Sequence, residues 1–167
     1  LGQSALLSTD HLRAVLIKHF GATTTLGDLK RKVAITSFRL EGKRHGHHSW
    51  KPKIFHNDGE PGYHDHHELV VDVAMRSSSP PMLAPIYQAL DETGPGYVDG
   101  GIFANNPALA GLSHAARRYM PSTAMHEKLD QVLMLSIGNA TTPTFLAPEM
   151  KGGVADWGYG HWLLNLQ

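Results

Sequence analysis

The stretch Tyr97-Val98-Asp99-Gly100-Gly101-Ile102-Phe103-Ala104-Asn105-Asn106-Pro107 decides how the rest of the chain is read. A short apolar run ends in a carboxylate, two glycines follow, and Asn106-Pro107 opens a helix. Asn106 is a good N-cap, and Pro107 has its φ pre-set for the first helical position. Gly100 and Gly101 can take φ > 0 and let another backbone or a substrate come close. The pattern puts Asp99 at a strand-to-helix turn, and open α/β sheets bind ligands outside the carboxyl ends of their strands. Asp-Gly is also a common turn dipeptide, so taken alone it reads more readily as a plain loop than as a site.

Downstream, the spacing predicts a helix over Pro107 to Tyr119, with Leu109, Leu112 and Ala116 facing inward and Arg117 and Arg118 in the last turn, where the helix dipole favours cations. Gln131 to Ile137 (Q-V-L-M-L-S-I), closed by Gly138, reads as a short strand buried on both faces, as in parallel sheets. Upstream, Ser8 or Thr9 caps a helix through His19, with Leu12, Val15, Leu16 and Phe20 on one face and Gly21 as its stop. Thr25 to Lys30 reads as a short helical turn, and Lys32 to Leu40 as a strand. Leu69 to Met75 is open between buried strand and helix. Residues 41–67 are rich in Gly, Pro and His and read as a surface excursion, with Lys53 to His56 as a strand candidate. This order of elements predicts an α/β fold with a parallel or mixed sheet flanked by helices.

The 167 residues suffice for one domain with a real core. Lysine plus arginine and aspartate plus glutamate number 15 each, so there is no basic field to recruit nucleic acid. The absence of cysteine excludes disulfides and thiolate metal sites, and slightly favours a cytoplasmic location. No apolar run is long enough to span a bilayer. Both ends look cut: the start lacks an initiating Met and a signal-peptide pattern, and the end breaks off in what reads as an amphipathic helix. Trp157, Tyr159 and Trp162 near that end read as core packing, with a wet interface as the alternative.

Two blocks carry a family resemblance. The Tyr97–Pro107 stretch resembles the segment around the catalytic aspartate of patatin-like phospholipases, lipid acyl hydrolases that work through a serine–aspartate dyad. Ala74 to Pro85 (A-M-R-S-S-S-P-P-M-L-A-P) is similar to that family's helix-ending segment, which favours the helical reading of Leu69 to Met75, ending near Ser79. The resemblance runs from about Leu6 to Gly138. It makes residues 1–167 the C-terminal portion of one patatin-like α/β domain, incomplete at its N-terminus, with a His-rich loop at about 41–67. It also implies hydrolysis of carboxylic esters in acyl lipids or phospholipids, transient contact with a membrane surface, and no metal or organic cofactor.

By motif match Asp99 is the dyad's aspartate, supported by Gly100 and Gly101. Such a base needs to lie near the serine hydroxyl and partly withdrawn from water. The nucleophile belongs in G-x-S-x-G at a tight elbow, and no such pentapeptide occurs in the chain. The glycine-rich oxyanion loop is absent too. Ser4 lacks the second glycine and a preceding strand, and is rejected. Ser77, Ser78 and Ser79 read as small residues packed where a helix ends. The resemblance therefore implies that this chain carries only the Asp of the dyad and is inactive alone. Leu83 and Ala84 stand where the family has bulky aromatics, which changes the shape of its acyl pocket.

The rival reading rests on the twelve histidines. His45, His47, His48, His56, His64, His66 and His67 crowd one region beside Asp65 and Glu68, and imidazole with carboxylate can hold zinc. No H-E-x-x-H pair preorganises them, and a solvated polar loop is the simpler reading. His11, His19 and His114 fall in helices and read as surface or partly buried. On this reading the chain is a non-catalytic binding module with a His-rich metal-binding loop.

Overall fold

The computed structural model describes residues 5–41, 43–44, 47–59, 64–120 and 129–138, with the backbone alone for 43–44 and 47–48. The chain divides into two units, residues 1–132 and 133–167.

In the first unit the central element is β1 (Ala34–Arg39), the β-branched segment the alternation predicts. It pairs antiparallel with β4 (Lys51–His56) on one side and with β5 (Tyr97–Asp99) on the other. The sheet order is thus β4-β1-β5, and a separate two-stranded ribbon joins β2 (Lys43–Arg44) to β3 (His47–His48). The parallel or mixed sheet expected from the sequence is corrected: what forms is a small antiparallel sheet flanked by short helices. The reason is local. Among the described residues of 40–50 there is no crossover helix, and a strand returning without one must run antiparallel to its predecessor.

Gln131 to Ile137 is the second correction. It forms no strand, and Leu133, Leu135 and Ile137 are exposed (98%, 81% and 84%). Apolar content alone cannot make a strand; it needs a ladder partner, and among the described residues this segment has none. Trp157, Tyr159 and Trp162 lie outside the described residues.

Helix α2 (Val70–Ser77) resolves the ambiguity of its segment in favour of the helix and packs on β1 and β5. Val70 and Val73 join Leu26, Phe55 and Tyr97 in one apolar cluster, while Val71 and Met75 join Tyr87 in another. Leu16 and Ile17 of α1 (Asp10–Phe20) cover the second cluster, and Gly21 ends α1 with φ +83°. Arg76 is buried with its guanidinium 5.4 Å from the Phe55 ring centroid and 4.7 Å from that of Tyr97. Its charge is met by Glu68 at 2.7 Å, and its Nε donates to the Gln88 carbonyl at 2.8 Å. A guanidinium satisfied on its edge and stacked on its faces is one of the few cations an interior tolerates.

Residues 41–67 are not merely a surface excursion. They supply β4, the fully buried Phe55 and the buried Asn57, Asp58 and Asp65. β4 is the outermost strand and carries Lys51, Pro52 and Lys53.

Tyr87 gives the second cluster its polar tie. Its hydroxyl donates to Asp72 Oδ1 at 2.8 Å, an oxygen that also accepts the Leu90 N–H at 2.8 Å. Burial first, then the bond to Asp72, push the Tyr87 phenol well above its ordinary value, and burial raises Tyr97 too. A folded-state value above the unfolded one means stability fully present below about pH 10 and lost as pH rises through the folded values. We expect Tyr87→Phe to cost about 1–2 kcal/mol at neutral pH, because the buried carboxylate loses a donor. The same variant should lose less further stability above about pH 10 than the parent. Urea denaturation at neutral and alkaline pH checks both; equal pH slopes would contradict it.

Candidate functional site

The cluster begins where β4 ends. His56 is its last residue, opposite Ala34 of β1. Two buried side chains hold the backbone beyond it. Asn57 accepts the Val33 N–H at 2.8 Å and donates to the carbonyls of Leu26 (3.1 Å) and Arg31 (2.9 Å). Asp65, itself paired with Lys53 Nζ at 2.7 Å, accepts the His56 N–H at 3.1 Å. Asp58 follows with its side chain 3% exposed.

Helix α4 (Ala108–Tyr119) brings the remaining groups. Its N-cap residue is Pro107 rather than the expected Asn106, which sits one position earlier and accepts the Ala108 N–H at 3.0 Å. His114 and Arg118 are four residues apart and so share a face. His114 Nε2 lies 2.9 Å from Asp58 Oδ2, Tyr119 donates its hydroxyl to the same oxygen at 3.2 Å, and Arg118 Nε donates to the Asp58 carbonyl at 3.0 Å. Asp58 Oδ1 contacts His56 Nδ1, and the two imidazole rings stand 4.4 Å apart by centroid. One donor atom from each of His56, Asp58 and His114 falls within 4.8 Å of the others.

Burial works against the Asp58 carboxylate, but the hydrogen bond and charge of His114, the His56 charge and the Tyr119 hydroxyl together hold it below its usual range. Burial lowers His56 in spite of Asp58, so its imidazole favours the neutral form. A charged carboxylate beside neutral imidazole is the state in which such groups bind metal.

Of the crowded histidines of 45–67 whose side chains are described, His56 alone joins this cluster; the side chains of His47 and His48 lie outside the described residues. His64 and His67 are exposed, Asp65 is engaged by Lys53, and Glu68 by Arg76. His45 lies outside the described residues, as does Ser4. Asp58 and His114 were not legible as ligands: they stand 56 positions apart, and no short motif joins them.

Asp99 ends β5, and its Oδ1 accepts the Gly101 N–H at 2.6 Å. A second short helix, α3 (Gly101–Ala104), precedes α4. Gly100 has φ −66°, so it does not use the left-handed freedom of glycine. Its close approach is to Thr36 of β1. Ser37 donates to the Arg76 and Val98 carbonyls (2.9 and 3.1 Å), Ser77 to Thr36 and Ser79 to Met75 (both 2.7 Å). The serines around Asp99 thus give their hydroxyls to backbone. The reading of the chain as an acyl hydrolase acting through a Ser–Asp dyad is corrected on these grounds: the described residues assemble a buried His–Asp–His cluster and no such dyad. An apolar cavity of about 400 Å³, lined among others by Phe38, Trp50, Ala84, Val98 and Ile102, lies beside the Asp99 turn. Among the described residues no helix is long and apolar enough to cross a membrane.

A family profile described as patatin-like phospholipase matches residues 1–112. The chain is 34% identical over 139 residues to the putative sporulation hydrolase CotR of Bacillus subtilis, covering 83% of this chain and 37% of that protein. It is 33% identical to Protein teg of Priestia megaterium, covering 80% and 35%. It is 29% identical to a cGAMP-activated phospholipase of Vibrio cholerae, covering 98% and 45%. The chain therefore spans less than half the length of these relatives.

Proposed function

The chain belongs to the patatin-like phospholipase family, and we propose that this portion acts as a non-catalytic binding module holding a divalent metal ion between His56, Asp58 and His114. The observation that carries the reading is a carboxylate withdrawn from water with an imidazole at each of its oxygens. Two nitrogens and one oxygen suit zinc and its neighbours better than calcium or magnesium, which prefer all-oxygen shells. Tyr119 supplies an outer hydrogen bond that orients the ligating carboxylate, and Arg118 holds the backbone carbonyl of the same residue. Ligands of a tetrahedral zinc at 2.0–2.1 Å stand roughly 3.3 Å from one another, so loading spreads His114 Nε2 and Asp58 Oδ2, 2.9 Å apart, and replaces their hydrogen bond with coordination.

Calorimetric titration of the chain with zinc tests this. We expect one ion per chain, affinity reduced by about a hundredfold or more in His114→Ala, and unchanged affinity when His64, His66 and His67 are replaced together. Equal heats from the parent and His114→Ala would refute the site.

A second reading concerns the longer protein. Its family offers an acyl lipid or phospholipid as ligand class, and we carry Asp99, with Gly100 and Gly101, as a site residue facing that ligand. No Ser–Asp dyad is part of this reading. Its support is the apolar cavity whose walls include Val98 and Ile102, on either side of Asp99 in the chain. Asp99→Asn in the longer protein should lower lipid turnover at least tenfold, the scale of a lost charged site group; unchanged turnover would remove Asp99.

A further inference from the structure

We infer that metal occupancy of the His56–Asp58–His114 cluster governs whether α4 stays seated on the rest of the protein, making the site a metal-dependent clasp on that helix. The inference rests on the metal-binding reading above and adds what the ion does.

Helix α4 has little apolar hold. Of its residues only Ala116 is buried, and Leu109, expected on the inward face, is 74% exposed. Its polar attachments converge on one residue of the β4 loop, with His114 and Tyr119 on the Asp58 carboxylate and Arg118 on the Asp58 carbonyl. Two of the three ligands come from that loop and the third from α4. An ion held by all three therefore closes a long stretch of chain, and lifting the helix must break coordination. A helix with a small buried face belongs to the low-stability end of a fold, where local opening is frequent. A ligand that binds only the closed form suppresses opening by the factor 1 + [L]/Kd.

Hydrogen exchange on the full chain tests the clasp without relying on any variant. In free zinc at about a hundred times its Kd, exchange of α4 amides should slow by about a hundredfold relative to chelator-treated protein, while α2 and β1 change little. His114→Gln should remove the zinc-dependent protection of α4, so that its exchange in zinc equals its own exchange in chelator. If zinc binds by calorimetry and α4 exchange is unchanged, the clasp is wrong and the site stands. If no zinc binds, both fall.

Discussion

Asp58→Ala should be the most damaging single change in the cluster, destabilising the metal-free protein by about 3–5 kcal/mol, the range for removing one partner of a buried ionic group. The size follows from how much meets at this carboxylate. His56 and His114 each lose an acceptor, and the Tyr119 hydroxyl loses its partner as well. Arg118 keeps the Asp58 carbonyl, so α4 is loosened rather than freed. Asp58→Asn separates charge from shape. It retains an acceptor for His114 or Tyr119 but not the negative charge, and should cost about half as much. Both variants should fail to bind zinc. Urea denaturation in chelator gives the stability, and calorimetry gives the metal. A loss below about 1 kcal/mol for the alanine variant would mean that the cluster is a solvated surface feature.

Gly100→Ala is expected to cost about 3 kcal/mol. Gly100 is the N-cap of α3 with φ −66°, so the cost does not come from left-handed strain. An added Cβ would stand 2.5 Å from the Thr36 carbonyl oxygen and 2.6 Å from its carbonyl carbon. Those atoms belong to the central strand, which is held on both sides and cannot withdraw. Overpacking against such a wall costs about 1–3 kcal/mol and sometimes more. Two neighbours calibrate the effect. At Gly101 the nearest atoms are side-chain oxygens at 3.1 and 3.3 Å, which can turn aside, so alanine there should cost less. At Gly111, inside α4, nothing lies within 4 Å, and alanine should stabilise by about 0.5–1 kcal/mol. Thermal denaturation of the three variants should preserve this order; Gly100→Ala melting with the parent would show that the strand yields.

The contrast at Gly100 shows what could be read from residues alone. Close backbone approach was foreseeable from paired glycines, but not that Thr36 is what approaches. The same division runs through the fold. β1 and α1 follow from alternation and helical spacing, local signals, whereas the helical reading of Leu69 to Met75 comes from the family resemblance. Sheet direction was misread because a buried apolar run such as Gln131–Ile137 says nothing about its partners, and this one has none among the described residues. The site was half legible. Histidine crowding pointed to His56, but the selecting condition is burial of Asp58, created by Asn57 plugging the 26–33 segment and by α4 arriving from 56 residues away. The membership of the family was carried by two motif blocks, whereas the chemistry they imply needs parts that the described residues do not assemble.

The outermost strand, β4, holds the sequence Lys51-Pro52-Lys53 ahead of its buried half. Proline offers no amide to a newcomer, and the Lys51 ammonium repels a second copy laid alongside, whereas Lys53 is spent on Asp65. The consequence is colloidal. At millimolar protein, the rim bearing His56 should resist templated stacking into fibrils.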